Sequence, residues 1–321
     1  MELSEIYRPV SEDLVTIEAG LRSVSQVESP GLSELLDYSL KGGGKRVRPI
    51  LALLSARFYD YNLDRLVPMA MAVELMHLAT LVHDDTIDKS SVRWGRPTVN
   101  ELWGTEQAVL LGDYLFAQAG ELIATTDNLR VIKLLPRTLM VISSGEIAQC
   151  RSAFNLEQTR EHYFHRISSK TASLFTLATE SGAILSDAPE DVIHAMSQYG
   201  HNLGIAFQIV DDILDFIGTE EEMGKPVGSD LAQGTLTLPA MLLLQRYPED
   251  NPVKHLFQAR GGAQYISQAM EQVRNSPIIE ECFEVATEYR DLACQELGNL
   301  PVSHARQSLY ALADFVVNRR K

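Results

Sequence analysis

The chain has 321 residues, 45% apolar and 22% charged, an ordinary globular composition with ample material for a core. Its 43 acidic residues outnumber 28 basic ones, giving a net charge of -15, which argues against nucleic acid as a partner and means that an anionic small molecule needs a local device to bring it in. The three cysteines, Cys150, Cys282 and Cys294, form no CxxC pair and no even framework, as expected of reduced thiols in a cytosol.

The chain opens on "MELSEIYRPVSEDL", acidic and without a basic head or apolar stretch, so no signal peptide is expected. Apolar runs such as "ILALL" and "AMLLL" fall far short of a membrane span, and the expectation is a soluble, cytoplasmic protein with no integral membrane segment. Apolar positions recur at three- and four-residue spacing over 69–88, 105–126, 137–150, 160–183, 190–217, 279–297 and 303–318, which predicts helices there. "KGGGKRVRP", "WGRP", "SDAPED", "GKPVGSD" and "RYPEDNP" mark the connections. Pro68, Pro189 and Pro239 fall near predicted helix starts, and Pro136 is expected to separate two helices. Alternating β-branched runs are nearly absent. The reading is a single all-α domain over 1–321, a helical bundle enclosing a central cavity.

Two of these helices end alike. "LVHDDTID" closes the first with Asp84, Asp85 and Asp88, and "VDDILD" closes another with Asp211, Asp212 and Asp215. Asp84 with Asp88, and Asp211 with Asp215, stack on one face a turn apart, with the middle residue of each trio about 100° round the wheel. Like charges so placed destabilise a helix unless a cation joins them. All-oxygen ligation without Cys or His at metal spacing makes these six aspartates candidate ligands for magnesium or manganese rather than zinc. Magnesium binds through one or two carboxylates plus substrate phosphates, so a phosphorylated ligand clamped between the two clusters is expected. The competing reading of either motif alone is a solvated helix end; its repetition after a second long apolar helix weighs against that. Thr80 and His77 share the face of Asp84; Phe207 and Gly204 share that of Asp211, with Gln208 close by. Such faces, small or apolar below a cation, would suit a diphosphate with a greasy tail.

"GGGKRVRP" puts Lys45, Arg46 and Arg48 on a glycine-rich turn before a helical segment, where a phosphate would fit, though the spacing is not that of a Walker A loop. Alone, this motif reads better as a surface turn with solvated charges. Lys170 and Thr171 interrupt an apolar helix, Lys225 follows the second cluster, and Arg93 and Arg96 follow the first. His83, beside Asp84, reads as a hydrogen-bonding support rather than a general base.

With "GGGKRVRP", "ELMHLATLVHDDTIDKSSVRWGRPT", "LLGDYLFAQA", "SSGEIAQ", "SSKTASLF" and "FQIVDDILDFIGTEEEMGKPVGSDL" in this order, the chain resembles the trans-isoprenyl diphosphate synthases (polyprenyl synthetases) over essentially its full length. The resemblance implies an isoprenoid-synthase-type helical bundle and three Mg2+ ions per active site. Two of these ions are held through Asp84 and Asp88, and a third chiefly through Asp211, with Asp215 acting through water. It implies that Arg93, Lys170 and Lys225 contact the diphosphate of an allylic substrate, with Thr171 and Gln208 as neighbours. Lys45, Arg48 and His77 would hold the diphosphate of isopentenyl diphosphate. Product length in the family is set just upstream of the first cluster; here Ala79 and Thr80 are small, which implies a product beyond fifteen carbons. A homodimer is also implied, with "GDYLFAQAGELI" a candidate for the dimer-facing helix.

Two positions depart from the family pattern. Trp94 stands where an arginine commonly helps bind isopentenyl diphosphate, and Thr235 stands where a lysine is common. They keep open a non-catalytic subunit of a heteromer, or a prenyltransferase or terpene synthase with an altered acceptor. A terpene cyclase is disfavoured by the second DDxxD and by the glycine-lysine-arginine turn.

Overall fold

The structure, a computed structural model, describes residues 3–219 and 227–319. In chain order its helices are α1 (Leu3–Ile6), α2 (Ser11–Ser23), α3 (Pro30–Leu40), α4 (Val47–Ala56), α5 (Leu63–Ile87), α6 (Val99–Trp103), α7 (Thr105–Ala124), α8 (Leu129–Ser152), α9 (Arg160–Ile167), α10 (Ser173–Leu185) and α11 (Glu190–Ile217). They continue as α12 (Ser229–Ala232), α13 (Leu238–Arg246), α14 (Pro252–Ala259), α15 (Ala263–Arg274), α16 (Ile278–Glu296) and α17 (His304–Asn318). Among the described residues the only sheet is a two-stranded antiparallel hairpin, β1 (Val92–Arg93) with β2 (Arg96–Pro97). The chain is all-α, as its periodicity predicts.

The chain divides into two compact units. One comprises Met1–Thr138, Leu174–Gly200 and Cys294–Leu312; the other comprises Leu139–Ser173, His201–Ala293 and Ala313–Lys321. In the first unit α5 is the core helix. It starts where the Asn62 side chain accepts from the Asp64 N–H at 3.0 Å, and it buries Leu66, Met69, Ala70, Val73, Leu75, Met76 and Ala79 against neighbours that include α4 and α7. Glycines permit close approaches here. A Cβ on Gly112 would lie 2.1 Å from His83 Nε2, and one on Gly182 would lie 2.2 Å from the Ala52 carbonyl oxygen. By length and composition α5 would pass for a membrane span, with a mean hydropathy of 1.5 over an 18-residue window; 61% of that window is buried in the protein's own fold, as a core helix requires.

The second unit centres on the C-terminal half of α11, where Ile209, Val210, Ile213 and Phe216 are buried, with Leu231, Leu238, Leu243, Leu256 and Phe257 completing its core. Phe154 meets Phe257 edge to face at 5.6 Å. The Phe154 N–H donates to the Gly234 carbonyl at 2.9 Å. Gly234 has φ of 75°, and a Cβ there would fall 2.5 Å from the Phe154 ring, so both backbone and packing demand glycine.

Three expectations need correction. Pro136 does not separate two helices: it lies inside α8, which forfeits the bond to the carbonyl four residues back and continues through good helix formers on both sides. Pro68 also lies inside a helix, since α5 begins at Leu63 rather than at 69. The helix read over 160–183 is interrupted. Thr159 opens α9 with a capping box to His162, and Ser168–Ala172 then forms a π-helical turn carrying Lys170 and Thr171 before α10 resumes. Periodicity does not resolve α2, α3, α4, α13, α14 and α15: they are short, and prolines in the first turns of α3, α13 and α14 read as loop punctuation.

Candidate functional site

In the first unit α5 runs out at its aspartates. Asp88 caps the helix, its N–H donating to the Asp84 carbonyl at 2.8 Å, so the two outer residues lie one turn apart as the spacing predicts, both half-buried. Asp85 is different: it is buried, and Arg93 from β1 grips it, with Nε 2.9 Å from both carboxylate oxygens and Nη2 2.8 Å from Oδ1. Burial raises its pKa, with Asp84 adding to the rise and Arg93 opposing it. Arg93 is thereby engaged by the first cluster itself.

The hairpin turn places Trp94 at φ 52° and Gly95 at φ 71°, left-handed conformations that suit glycine and strain tryptophan. The Trp94 ring packs on Gly42 of the glycine-rich turn, where a Cβ would come within 3.2 Å of it. Arg96 stacks at 4.2 Å over the Tyr38 ring, whose hydroxyl donates to the Pro97 carbonyl at 2.7 Å. Tyr38, Gly42, Asp85, Arg93, Trp94 and Arg96 share a cavity of about 50 Å³.

Of the three basic residues on the glycine-rich turn, Arg46 is structural. It adopts φ 50° and pairs with Glu18 at 2.6 Å and Glu74 at 2.8 Å. The Tyr7 hydroxyl donates to the Lys45 carbonyl at 3.2 Å, and the Arg48 guanidinium sits 5.0 Å from the Phe175 ring centroid. His77 is held well below its ordinary pKa, first by burial and then by Arg48, Arg93 and Arg46, so at neutral pH it is an uncharged donor or acceptor amid cations. Ala79 is buried, and the Thr80 hydroxyl donates back to the His77 carbonyl at 2.7 Å. His83 lies 3.0 Å from the Val109 carbonyl and edge-on to Phe116, a support as expected.

In the second unit a chain of hydrogen bonds joins the π-helical turn to the second cluster. The Thr171 hydroxyl donates to Gln208 Oε1 at 2.6 Å, Gln208 Nε2 donates to Asp212 Oδ1 at 2.8 Å, and the Tyr163 hydroxyl donates to Asp212 Oδ2 at 2.8 Å. Both Asp212 oxygens are thus used inside the protein, and burial, then Asp230, pushes this carboxyl up to about 7. Asp215, buried as well, accepts from the Ser229 hydroxyl at 3.0 Å and the Asp230 N–H at 3.2 Å. Lys170 pairs with Glu146 at 2.7 Å, and Asp211 accepts from Arg319 at 2.6 Å. Lys225 lies outside the described residues.

The donor set is wholly oxygen. Among the described residues no three acidic, histidine or cysteine side chains converge into a cage, so an ion would draw on one or two carboxylates, water and a ligand's phosphates. Asp84, Asp88 and Asp211, none of them fully buried, fit magnesium on those terms. A cavity of about 510 Å³ is lined by residues of α8 and α9 such as Gln149, Arg151, His165 and Arg166, and contains none of the expected site residues.

The family model for polyprenyl synthetase matches residues 29–273. The chain belongs to the polyprenyl synthetase family. It is accordingly an enzyme, a trans-prenyltransferase of the kind that condenses isopentenyl diphosphate with an allylic diphosphate. It is 38% identical to heptaprenyl diphosphate synthase component 2 of Geobacillus stearothermophilus, covering 99% of each chain. Among solved structures, a polyprenyl synthase from Caulobacter crescentus, complexed with calcium and isoprenyl diphosphate, superposes with a TM-score of 0.96 at 33% identity, covering 100% of this chain and 98% of that one. A decaprenyl diphosphate synthase from Rhodobacter capsulatus superposes with a TM-score of 0.92 at 37% identity over 100% of both chains. The fold is the all-α bundle of the isoprenoid synthases.

Sequence reasoning missed Glu146, Tyr163, Ser229 and Arg319. Glu146 stood in the quoted "SSGEIAQ", an acid in an apolar helix, and was the one with a visible signal. Tyr163 and Arg319 had none, lying 49 and 108 residues from the aspartates they serve.

Proposed function

We propose that this enzyme uses magnesium to elongate an allylic diphosphate with isopentenyl diphosphate, releasing a trans-polyprenyl diphosphate of C20 or longer, and that the whole chain acts as one polyprenyl synthetase domain. The observation that carries the reading is the end of α5: Asp84 and Asp88 one turn apart, with the small residues Ala79 and Thr80 in the preceding turn. A chain growing past Ala79 and Thr80 meets no aromatic side chain at those positions. Heptaprenyl and decaprenyl products in the relatives' names agree with that length.

Asp84, Asp88 and Asp211 hold the ions, up to three per site. Asp85 and Asp212 hold Arg93 and Gln208 in place, and Asp215 holds the Ser229 hydroxyl and the Asp230 N–H. Magnesium, when bound, supplies positive charge to the departing diphosphate. Arg93, Lys170 and Lys225 bind that diphosphate, with Thr171 and Gln208 beside it, and Lys45, Arg48 and neutral His77 bind the acceptor's. The double bond of isopentenyl diphosphate attacks the allylic carbon as its bond to diphosphate breaks, and the proton is lost to the released diphosphate, so no protein base is needed. Apolar walls exclude water from the cation.

We further assign the enzyme to the cytoplasm and to a homodimer, in which the exposed Val109 and Leu110 of α7 are covered. Light scattering of the purified protein tests the dimer. Incubation with Mg2+, labelled isopentenyl diphosphate and, separately, geranyl, farnesyl and geranylgeranyl diphosphates tests the reaction. Label in chains longer than the primer, abolished by EDTA, is the expected result; products stopping at fifteen carbons overturn the length assignment. A second reading, a subunit active only with a different partner protein, is favoured by the "component 2" of the Geobacillus relative and by Trp94 and Thr235. Incorporation by this chain alone rules it out.

A further inference from the structure

Arg319, just beyond α17, does more than lie on the surface of its unit. Its Nη2 donates to Asp211 Oδ1 at 2.6 Å and to the Phe207 carbonyl at 2.8 Å, and its guanidinium lies 3.7 Å from the Phe207 ring centroid. Phe207 and Asp211 are four residues apart on α11 and share a face, so one guanidinium engages both. The arginine side chain is 7% exposed against 38% for Asp211. Its Nε is buried and makes no hydrogen bond to any described residue. A solvated surface pair has none of these properties. The fork is pinned on its ring and carbonyl and neutralises the first carboxylate of the second cluster.

A guanidinium in that place repels a dication approaching Asp211, and the repulsion is stronger for being screened from water. An arriving diphosphate changes the balance. Its oxygens accept from the Arg319 guanidinium, and its charge offsets that guanidinium as the ion reaches the carboxylate. We infer that Arg319 is a resident counter-ion of the second cluster, making metal binding at Asp211 conditional on a bound diphosphate. This rests on the proposed metal-binding role of Asp211. It orders loading: the ion at Asp211 enters with the anion and not ahead of it, so the cluster is not charged without substrate.

The test is Mn2+ titration of the full-length protein, followed by calorimetry and by the electron paramagnetic resonance of bound Mn2+, in the absence of substrate and again with inorganic diphosphate added as the preformed Mn2+ complex. Arg319→Gln is expected to bind Mn2+ without diphosphate about tenfold more tightly than the wild type. It is also expected to lose most of the tightening that diphosphate gives the wild type. The gain should vanish in Arg319→Gln combined with Asp211→Asn, which localises it to that carboxylate. Arg319→Lys keeps the charge and should stay near wild-type affinity, separating loss of charge from damage to the fold. Equal or weaker Mn2+ binding by Arg319→Gln overturns the counter-ion and leaves Arg319 as a support for the Asp211 side chain. Absence of Mn2+ binding in every variant, diphosphate included, overturns instead the metal assignment on which it rests.

Discussion

The two aspartate clusters are spelled almost alike and built differently. At the end of α5 the middle residue, Asp85, is taken by Arg93, while Asp84 and Asp88 keep half-buried carboxylates a turn apart at a helix end. At the end of α11 Arg319 pairs with Asp211, Tyr163 and Gln208 share Asp212, and Ser229 with the Asp230 N–H holds Asp215. One DDxxD therefore ends in an ion pair to a neighbouring hairpin, and the other is woven into the core of its unit. The spacing fixes which carboxylates share a helix face; the wiring decides what each carboxylate does.

The largest expected effects separate the two. Asp84→Ala removes a half-exposed charge and should lower turnover about 10³-fold, ~4 kcal/mol of transition-state stabilisation. It should leave the urea-unfolding free energy within about 0.5 kcal/mol of wild type. Asp215→Ala strips a carboxylate that is 1% exposed and leaves the Ser229 hydroxyl and the Asp230 N–H unmet, so unfolding stability should drop by ~2–3 kcal/mol. Kinetics and urea titration on the same preparations check both. Asp84→Ala that unfolds early, or Asp215→Ala that is stable, would break the comparison.

Much of this was legible in the sequence, and the reasons differ by element. The long helices announce themselves because a buried stripe repeats over many turns, and the i, i+4 aspartates follow from that geometry alone. The π-helical turn at Lys170 adds one residue within one turn, which no periodicity over 160–183 resolves. Arg46 looked like its neighbours Lys45 and Arg48 because only the fold brings Glu18 and Glu74, each 28 residues away, to its guanidinium. Arg319 is the extreme case: a charge near the end of the sequence acquires its meaning from a partner 108 residues back.

Each region also carries one departure from the family pattern, and here the effects are smaller. Trp94 sits in a strained backbone conformation with its ring on Gly42, close to Arg93 and Asp85. Trp94→Arg should lower KM for isopentenyl diphosphate about tenfold with little change in kcat, ~1.4 kcal/mol from a regained charge-assisted contact. Thr235, whose N–H donates to the Asp230 carbonyl at 2.8 Å, is a residue of the second unit, and Thr235→Lys should change the same KM by about threefold or less. Steady-state kinetics with the acceptor varied measures both. An unchanged KM in Trp94→Arg would mean that Lys45, Arg48 and His77 already saturate the acceptor's diphosphate.

The smallest effect is a slope. His77 of the first region keeps a folded pKa well below its ordinary value of 6.5, first because it is buried and then because Arg48, Arg93 and Arg46 oppose its protonation. The unfolded chain takes up a proton at this residue as pH falls through about 6.5, and the folded protein does not. The unfolded state then binds more protons, so stability is fully present above that pH and declines below it. One such group is worth ~0.8 kcal/mol between pH 7.5 and 6.0. His77→Gln should flatten the fall in urea-unfolding free energy over that interval by about that amount, leaving the part due to His201, which burial also depresses. The second region titrates the opposite way. Asp212, raised to about 7, adds stability that is complete below the unfolded carboxyl range and is lost as pH rises through 7, so Asp212→Asn should remove a decline on the alkaline side and leave the acid limb to His77. If His77→Gln changed only the limb above pH 7, the histidine would not be the neutral group that its cationic neighbours make it.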